Sequence, residues 1–223
     1  MRALINCETS GVSRKAFQAR GHEVYSCDLL PADDGETQFH IQADAISVAN
    51  EPWKYPQILT PHPAHAWWDL MIAHPPCTYL CNSGVCWLHR ELGRWRKLEE
   101  AMEFFHALQN CNIDKIAIEN PIPHRYAKTG FVSTLPPPPI HNVTGIGNYT
   151  QIIQPFQFGH PERKATCLWL KGLPKLKPTS IVPLPMDKSK AQRLHYLPPS
   201  KDRWKIRSRT FEGIAKAMAE QWG

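Results

Sequence analysis

Short apolar runs alternate along this chain with segments of helical period. Residues 2–7 read as a strand. Residues 12–20 carry apolar side chains at 12, 16, 17 and 19 and stop at Gly21, which predicts a helix. Residues 22–27 are a second strand closed by Asp28, and residues 40–46 a third that carries Asp44. The apolar run 69–73 ends at His74-Pro75-Pro76, where a missing N–H and a fixed φ stop a strand. From Leu92 to Cys111 the apolar positions 92, 95, 98, 101, 102, 104, 105 and 108 follow a 3.6-residue period, with Glu99, Glu100 and Glu103 opposite. Residues 114–118 form a strand closed by Glu119-Asn120-Pro121. A turn at 159–164 leads into a strand ending near Leu170. Thr210 is placed to N-cap a last helix with the stripe Phe211, Ile214, Ala215, Met218 and Trp222. Strands alternating with helices predict an α/β fold, its sheet covered on both faces.

The segments between these elements are rich in proline. Residues 47–68 hold Pro52, Pro56, Pro61 and Pro63 with Trp53, Trp67 and Trp68, and read as a loop. Residues 122–150 and 172–200 show no periodicity and read as loops, which the 21 prolines of the chain favour. The chain has 223 residues, 42% of them hydrophobic, enough for a single domain over 1–223. The stretches 122–150 and 172–205 are then insertions available to contact a substrate. No apolar stretch approaches the roughly 18 residues of a membrane span. The apolar start is too short for a signal peptide before it meets Glu8, so a cytoplasmic protein is expected. Seven cysteines without a regular framework fit free thiols. A formal charge of +6 favours an anionic partner, and eleven of the 26 Lys and Arg fall between positions 171 and 209.

Chemistry concentrates where strands end. Cys77 is the first reactive side chain after Pro75-Pro76, at the carboxyl end of a strand, where open α/β sheets bind ligands. It also reads as a small buried hydrophobe. Glu119 ends another strand and reads either as an acid on the same edge or as a turn cap. The unit strand, turn, helix, strand, acid at 2–28 is the start of a nucleotide-binding fold. There the helix N-terminus suits a carboxylate, and Asp28 is positioned for ribose hydroxyls. Asp44 reads as an acceptor for an adenine amino group or as a helix cap. One glycine in the turn, Gly11, suits a cofactor without a pyrophosphate, such as S-adenosylmethionine. Cys77, Cys81 and Cys86 with His74 or His89 lack the usual zinc spacings, so no metal is expected.

Taken together, these residues resemble the DNA (cytosine-5)-methyltransferases. The stretch 69–77 continued by Ser83-Gly84 is similar to that family's Pro-Cys motif, and Glu119-Asn120-Pro121 to its Glu-Asn-Val motif. Gly159-His160-Pro161-Glu162-Arg163-Lys164 resembles the motif that carries an arginine. Ser208-Arg209-Thr210 resembles the C-terminal motif that completes the cofactor pocket. The wording of these stretches is close to small phage or prophage members, which would place the protein in a host cytoplasm. The resemblance implies a Rossmann-like S-adenosylmethionine-dependent methyltransferase sheet with helices on both faces. It implies Cys77 as nucleophile, with Glu119 and Arg163 as catalytic partners. It implies a cofactor pocket from Cys7, Glu8, Thr9, Ser10, Gly11, Asp28, Leu29, Asp44, Ala45, His74, Pro75, Ser208 and Thr210. In that chemistry the Cys77 thiol needs a lowered pKa and Glu119 a raised one. The partner is then DNA or a deoxycytidine nucleotide.

The chain departs from the family in several places. Residues 7–11 replace a Phe and several glycines, Thr78 stands for a Gln, and Pro121 for a Val. The Gln-x-Arg-x-Arg pattern thins to Glu162-Arg163-Lys164. The large recognition region is reduced or absent. That leaves two alternatives: modification of a free pyrimidine nucleotide, and a non-catalytic nucleic-acid-binding protein on the same scaffold.

Overall fold

A computed structural model describes residues 1–58, 67–91, 93–133 and 141–223. In chain order these form β1 (Arg2–Asn6), α1 (Val12–Gln18), β2 (Glu23–Asp28), β3 (His40–Gln42), α2 (Ala45–Asn50), β4 (Leu70–Ala73), α3 (Arg94–Gln109), β5 (Ile116–Pro121), α4 (Arg125–Thr129), β6 (Gly130–Ser133), β7 (His141–Thr144), β8 (Gln151–Ile153), β9 (Thr166–Lys171), α5 (Lys188–Ala191), α6 (Arg203–Ser208) and α7 (Glu212–Trp222). Leu92, Pro61, Pro63 and Pro136-Pro137-Pro138-Pro139 lie outside the described residues.

The main sheet has the order β3-β2-β1-β4-β5-β9-β8. Its first five strands are parallel, in the order of a doubly wound Rossmann sheet. β9 then runs antiparallel to both β5 and β8. The alternation of side chains sorts the core into two layers. Ala3, Ile5, Leu70, Ile72 and Ala117 face one side, with Phe17 of α1 and Ile214, Met218 and Trp222 of α7. Leu4, Met71, Ala73, Ile116 and Ile118 face the other, with Val48 of α2 and Leu98, Met102 and Phe105 of α3. The fold is therefore α/β and Rossmann-like, as its periodicities predict.

Four local expectations are corrected. The third strand ends at Gln42, because the Asp44 carboxylate accepts from Ser47 N at 2.8 Å and starts α2 there. Residues 45–50 are thus helix, not strand and loop. β5 continues through Glu119 and Asn120 to Pro121, since β9 pairs with those residues after the parallel partner β4 has ended. Residues 122–150 are more than a loop: they hold α4, whose N-cap is His124, and the β6–β7 hairpin. α5 likewise interrupts 172–200.

α7 starts close against the turn before β9. Gly213 N donates to His160 Nε2 at 2.9 Å, and a Cβ on Gly213 would lie 1.8 Å from the Phe158 carbonyl oxygen. Gly213→Ala is therefore expected to push the helix off this turn and cost on the order of 2 kcal/mol. Urea unfolding checks this; an unchanged midpoint would contradict the close approach.

Candidate active site

The parallel strands β1, β2, β4 and β5 all end on one edge, and that edge gathers the chemically active side chains. β4 stops at Ala73, and His74 N donates to Asn6 O at 3.0 Å. Pro75 O then accepts from Asn120 Nδ2 at 2.9 Å, which ties the loop to the end of β5. Past Cys77 the chain turns back, with Leu80 N and Cys81 N both donating to Cys77 O. His124 closes the far side: its N donates to Leu80 O, and its Nε2 meets Tyr79 O at 2.8 Å. Pro75 thus serves as an anchor in this structure. Proline stops β4, and Asn120 fixes the loop beyond it.

His74 Nδ1 lies 2.7 Å from Glu119 Oε2, with each side chain only 10% exposed. Burial opposes ionisation of both groups, but the hydrogen bond and the charge attraction prevail. They hold Glu119 below the usual carboxylate range and His74 above the usual imidazole range. The expected raised pKa of Glu119 is thereby overturned, because the sequence motif does not reveal that His74 reaches it. His74 spends one ring nitrogen on Glu119. Its Nε2 is buried with no hydrogen-bond partner among the described residues.

Cys77 does not carry a lowered pKa either. Its interaction with Cys81 pushes the thiol up, and burial adds to this. Cys81 is pushed down to about 5, first by Cys77 and then, against burial, by Ser83 Oγ and the N–H groups of Ser83 and Gly84. Ser83 Oγ is 3.0 Å from the Cys81 sulfur. The two thiols titrate as a coupled pair, and the groups around Cys81 favour a thiolate there over Cys77. Lys164 works the other way, favouring a thiolate on Cys77 and an ionised Glu119.

Lys164 is the cation of this pocket. Its field reaches Cys77, Glu119 and His74, and its ammonium sits 5.8 Å from the centroid of the Phe211 ring at the start of α7. Arg163, the expected residue, is exposed, and its N donates to Ala191 O. Lys164, the next residue of the same turn, is the one whose charge reaches Cys77 and Glu119. Cys81 lies outside the sequence motifs, and Ser83 and Lys164 stand within them without an assigned role. Cys81 follows Cys77 at a spacing that a single tight turn brings together.

The second half of the edge lies over β1, β2 and β3. Cys7 takes φ 58°, the left-handed region that few non-glycine residues adopt. Burial raises its thiol pKa, as do Asp28, Cys27 and Asp44, so these acids and Cys7 share one neighbourhood. Asp28 Oδ1 accepts from Leu30 N, the exposed Leu29 gives its carbonyl to Gln42 Nε2, and Ala45 O accepts from Asn6 Nδ2. Glu8 occupies the start of α1, accepting from Ser13 N at 2.8 Å, from Arg14 N at 3.3 Å and from Ser10 Oγ at 3.2 Å. The expectation that this helix N-terminus faces a ligand carboxylate is corrected. The chain's own carboxylate already takes those N–H groups.

Thr9 is covered from above. Its Oγ1 donates to Asp33 Oδ2 at 2.7 Å, and Asp33 also pairs with Lys205 of α6 at 2.9 Å. Buried Arg14 binds Asp34 and Glu36 of the same loop, and a Cβ on Gly11, at φ 69°, would collide with Asp34. Ser208 donates to Lys205 O within α6, while Thr210 is buried beside the start of α7. The C-terminal segment thus does return to the turn at 8–11, through Lys205. Among the described residues no group of three His, Cys, Asp or Glu side chains could hold a metal ion, and no helix is long and apolar enough to cross a membrane.

The His74–Glu119 pair has a definite pH signature. A lowered carboxylate pKa stabilises the fold above the ordinary Glu value of 4.5, and the gain is lost as pH falls through the folded pKa. A raised His pKa stabilises below the ordinary value of 6.5, and the gain is lost as pH rises through the folded pKa. The difference in melting temperature between wild type and Glu119→Gln should therefore be largest between pH 4.5 and 6.5 and shrink on either side. A difference independent of pH, measured by circular dichroism, would contradict the pairing.

No family model and no curated protein matches the chain. Solved structures resemble it more distantly. A protein described as a DNA modification methyltransferase encoded within an Escherichia coli prophage aligns at a TM-score of 0.47 with 16% identity, over 89% of this chain and 55% of that one. The Entamoeba histolytica methyltransferase EhMeth gives 0.44 and 10%, over 82% and 57%. A mutant of Spodoptera frugiperda DNMT2 gives 0.37 and 16%, over 90% and 60%. The chain spans little more than half the length of these structures.

Proposed function

We propose that the protein transfers a methyl group from S-adenosylmethionine to carbon 5 of cytosine in DNA through a covalent adduct on Cys77. The observation that carries this reading is the convergence of a thiol, a carboxylate and a cation, Cys77, Glu119 and Lys164, on the edge that also holds Asp28 and Asp44. Carbon 5 of cytosine is a poor nucleophile until a group adds at carbon 6. Cys77 as thiolate makes that bond, and Lys164 favours the negative charge on its sulfur. The proton it gives up is accepted by the Cys81 thiolate, so the charge passes along the pair and into the substrate. Glu119 faces ring nitrogen 3. Extrahelical presentation of the base from a duplex costs a few kcal/mol.

The residues fit the adenosyl half of the cofactor. Asp28 and Asp44 leave carboxylate oxygens at the strand ends for a ribose and an adenine amino group. The methionyl half meets Glu8, so its ammonium suits that side of the pocket better than its carboxylate. When bound, the cofactor supplies an electrophilic methyl group.

A polymer is favoured over a free nucleotide by charge. Eleven of the 26 Lys and Arg, and only two of the 20 Asp and Glu, lie between positions 171 and 209. α6 there exposes Trp204 and Ile206 among Lys205 and Arg207, and Tyr196 is also exposed. Cations interleaved with exposed aromatics suit phosphates and unstacked bases.

Labelled cofactor incubated with duplex DNA, single strands and deoxycytidine nucleotides tests the reading. Label in 5-methylcytosine of a polymer is expected, and label only in free nucleotides would reassign the substrate. Cys77→Ala should abolish transfer while binding the cofactor; retained turnover would end the mechanism. Asp28→Ala should weaken cofactor binding about tenfold or more, the loss of a charged hydrogen bond. Unchanged affinity by calorimetry would remove that residue from the pocket.

A further inference from the structure

The resting charges of the pocket pose a problem for the reaction. When the Cys77 sulfur bonds to carbon 6, the carbon 5–carbon 6 electron pair moves through carbon 4 onto ring nitrogen 3. That nitrogen then needs a proton. Glu119 is the group that faces it, yet an ionised carboxylate has none to give. The nearest acidic proton on the same hydrogen-bonded unit is on His74, whose Nδ1 is 2.7 Å from Glu119 Oε2.

We propose that His74 is the proton reservoir for Glu119, so that the working acid is the His74–Glu119 pair and not the carboxyl group alone. This rests on the cytosine reading above. The Nδ1 proton of the imidazolium passes to Glu119, and the Glu119 carboxyl delivers a proton to nitrogen 3. Before the step the charges are a thiolate, a carboxylate and an imidazolium. After it they are a neutral thioether adduct, a carboxylate and a neutral imidazole that has lost one proton to the ring. On elimination the carbon 5 proton passes to water, the nitrogen 3 proton returns by the same route, and the Cys77 thiolate leaves.

Three features of the geometry support a proton-holding role. The pair is nearly closed to solvent at 10% exposure for each side chain, so water does not short-circuit the transfer. The hydrogen bond is to Nδ1, and no other hydrogen bond to the Glu119 carboxylate occurs among the described residues, which leaves Oε1 for the base. The groups around His74 favour its charge. Glu119 on β5 and Glu8 after β1 stabilise the imidazolium, and Lys164 before β9 is the opposing cation in its surroundings. Its backbone N is fixed on Asn6 O of β1, so the residue is held at its main chain and at Nδ1. His74 acts through Glu119 and is a positioning residue, not a catalytic one.

The test compares wild type, His74→Gln and Glu119→Gln on a cytosine-containing oligonucleotide between pH 5 and 9. Wild-type kcat should fall as pH rises through the raised His74 pKa. His74→Gln should lose that alkaline limb and about 10²-fold in kcat, with KM little changed. Because a buried substitution can unfold the chain, circular dichroism accompanies each variant, and ¹⁵N imidazole titration of His74 is read in wild type and Glu119→Gln. The titration should move toward 6.5 when Glu119 is neutralised. A folded His74→Gln enzyme with the wild-type kcat and pH profile would overturn the relay, as would a His74 titration indifferent to Glu119. Wild type that methylates no cytosine would instead overturn the reading beneath it, and the two failures are told apart by that control.

Discussion

The hydrogen bond between His74 and Glu119 is the constraint on which the site depends. It joins the residue after β4 to a residue within β5, and it is buried on the edge where both parallel strands run out. Asn120, next along β5, holds the Pro75 carbonyl. Two neighbouring residues of β5 thus fix the two residues that follow β4. The loop beyond them has little freedom left when it reaches Cys77. The position of the thiol is set by strand pairing in the core and not by the loop itself.

Charge is distributed over this frame in a particular way. Each potentially reactive group is matched by another that moves its proton. The interaction between the two thiols pushes Cys77 up and Cys81 down, His74 favours an ionised Glu119, and Lys164 favours an anion on Cys77 and on Glu119. These directions favour a protonated Cys77 and an ionised Glu119. In the proposed reaction, a base that accepts a proton on the ring and a bond at carbon 6 reverses both. The C-terminal helix α7 contributes by seating Phe211 against Lys164 and Gly213 against the turn that carries it.

Much of the fold was legible in the chain because its signals are local. Prolines stop β4, the 3.6-residue stripe defines α3, and alternation in β1 and β4 divides the two core layers. Cys77 and Glu119 were legible for the same reason, since each ends a short apolar run. What was not legible depends on contacts between distant segments. His74 and Glu119 are 45 residues apart, and no spacing rule announces their bond. That the charge of Lys164 reaches Cys77 and Glu119 depends on which side of β9's entry faces the pocket. Glu8 as the acceptor of first-turn N–H groups of α1 was hidden by the expectation that a helix N-terminus at such a turn is left open for a ligand. The helices α4 and α5 and the β6–β7 hairpin were hidden because proline-rich segments carry no apolar period.

The most direct test of the account is the intact mass of the protein after incubation with S-adenosylmethionine and an oligonucleotide containing 5-fluorocytosine, in which the fluorine blocks release of the enzyme. The account predicts a stable adduct carrying the methyl group, mapped to the peptide that holds Cys77 and missing from Cys77→Ala. A protein that methylates ordinary cytosine yet forms no such adduct, or forms it through another cysteine, would contradict it.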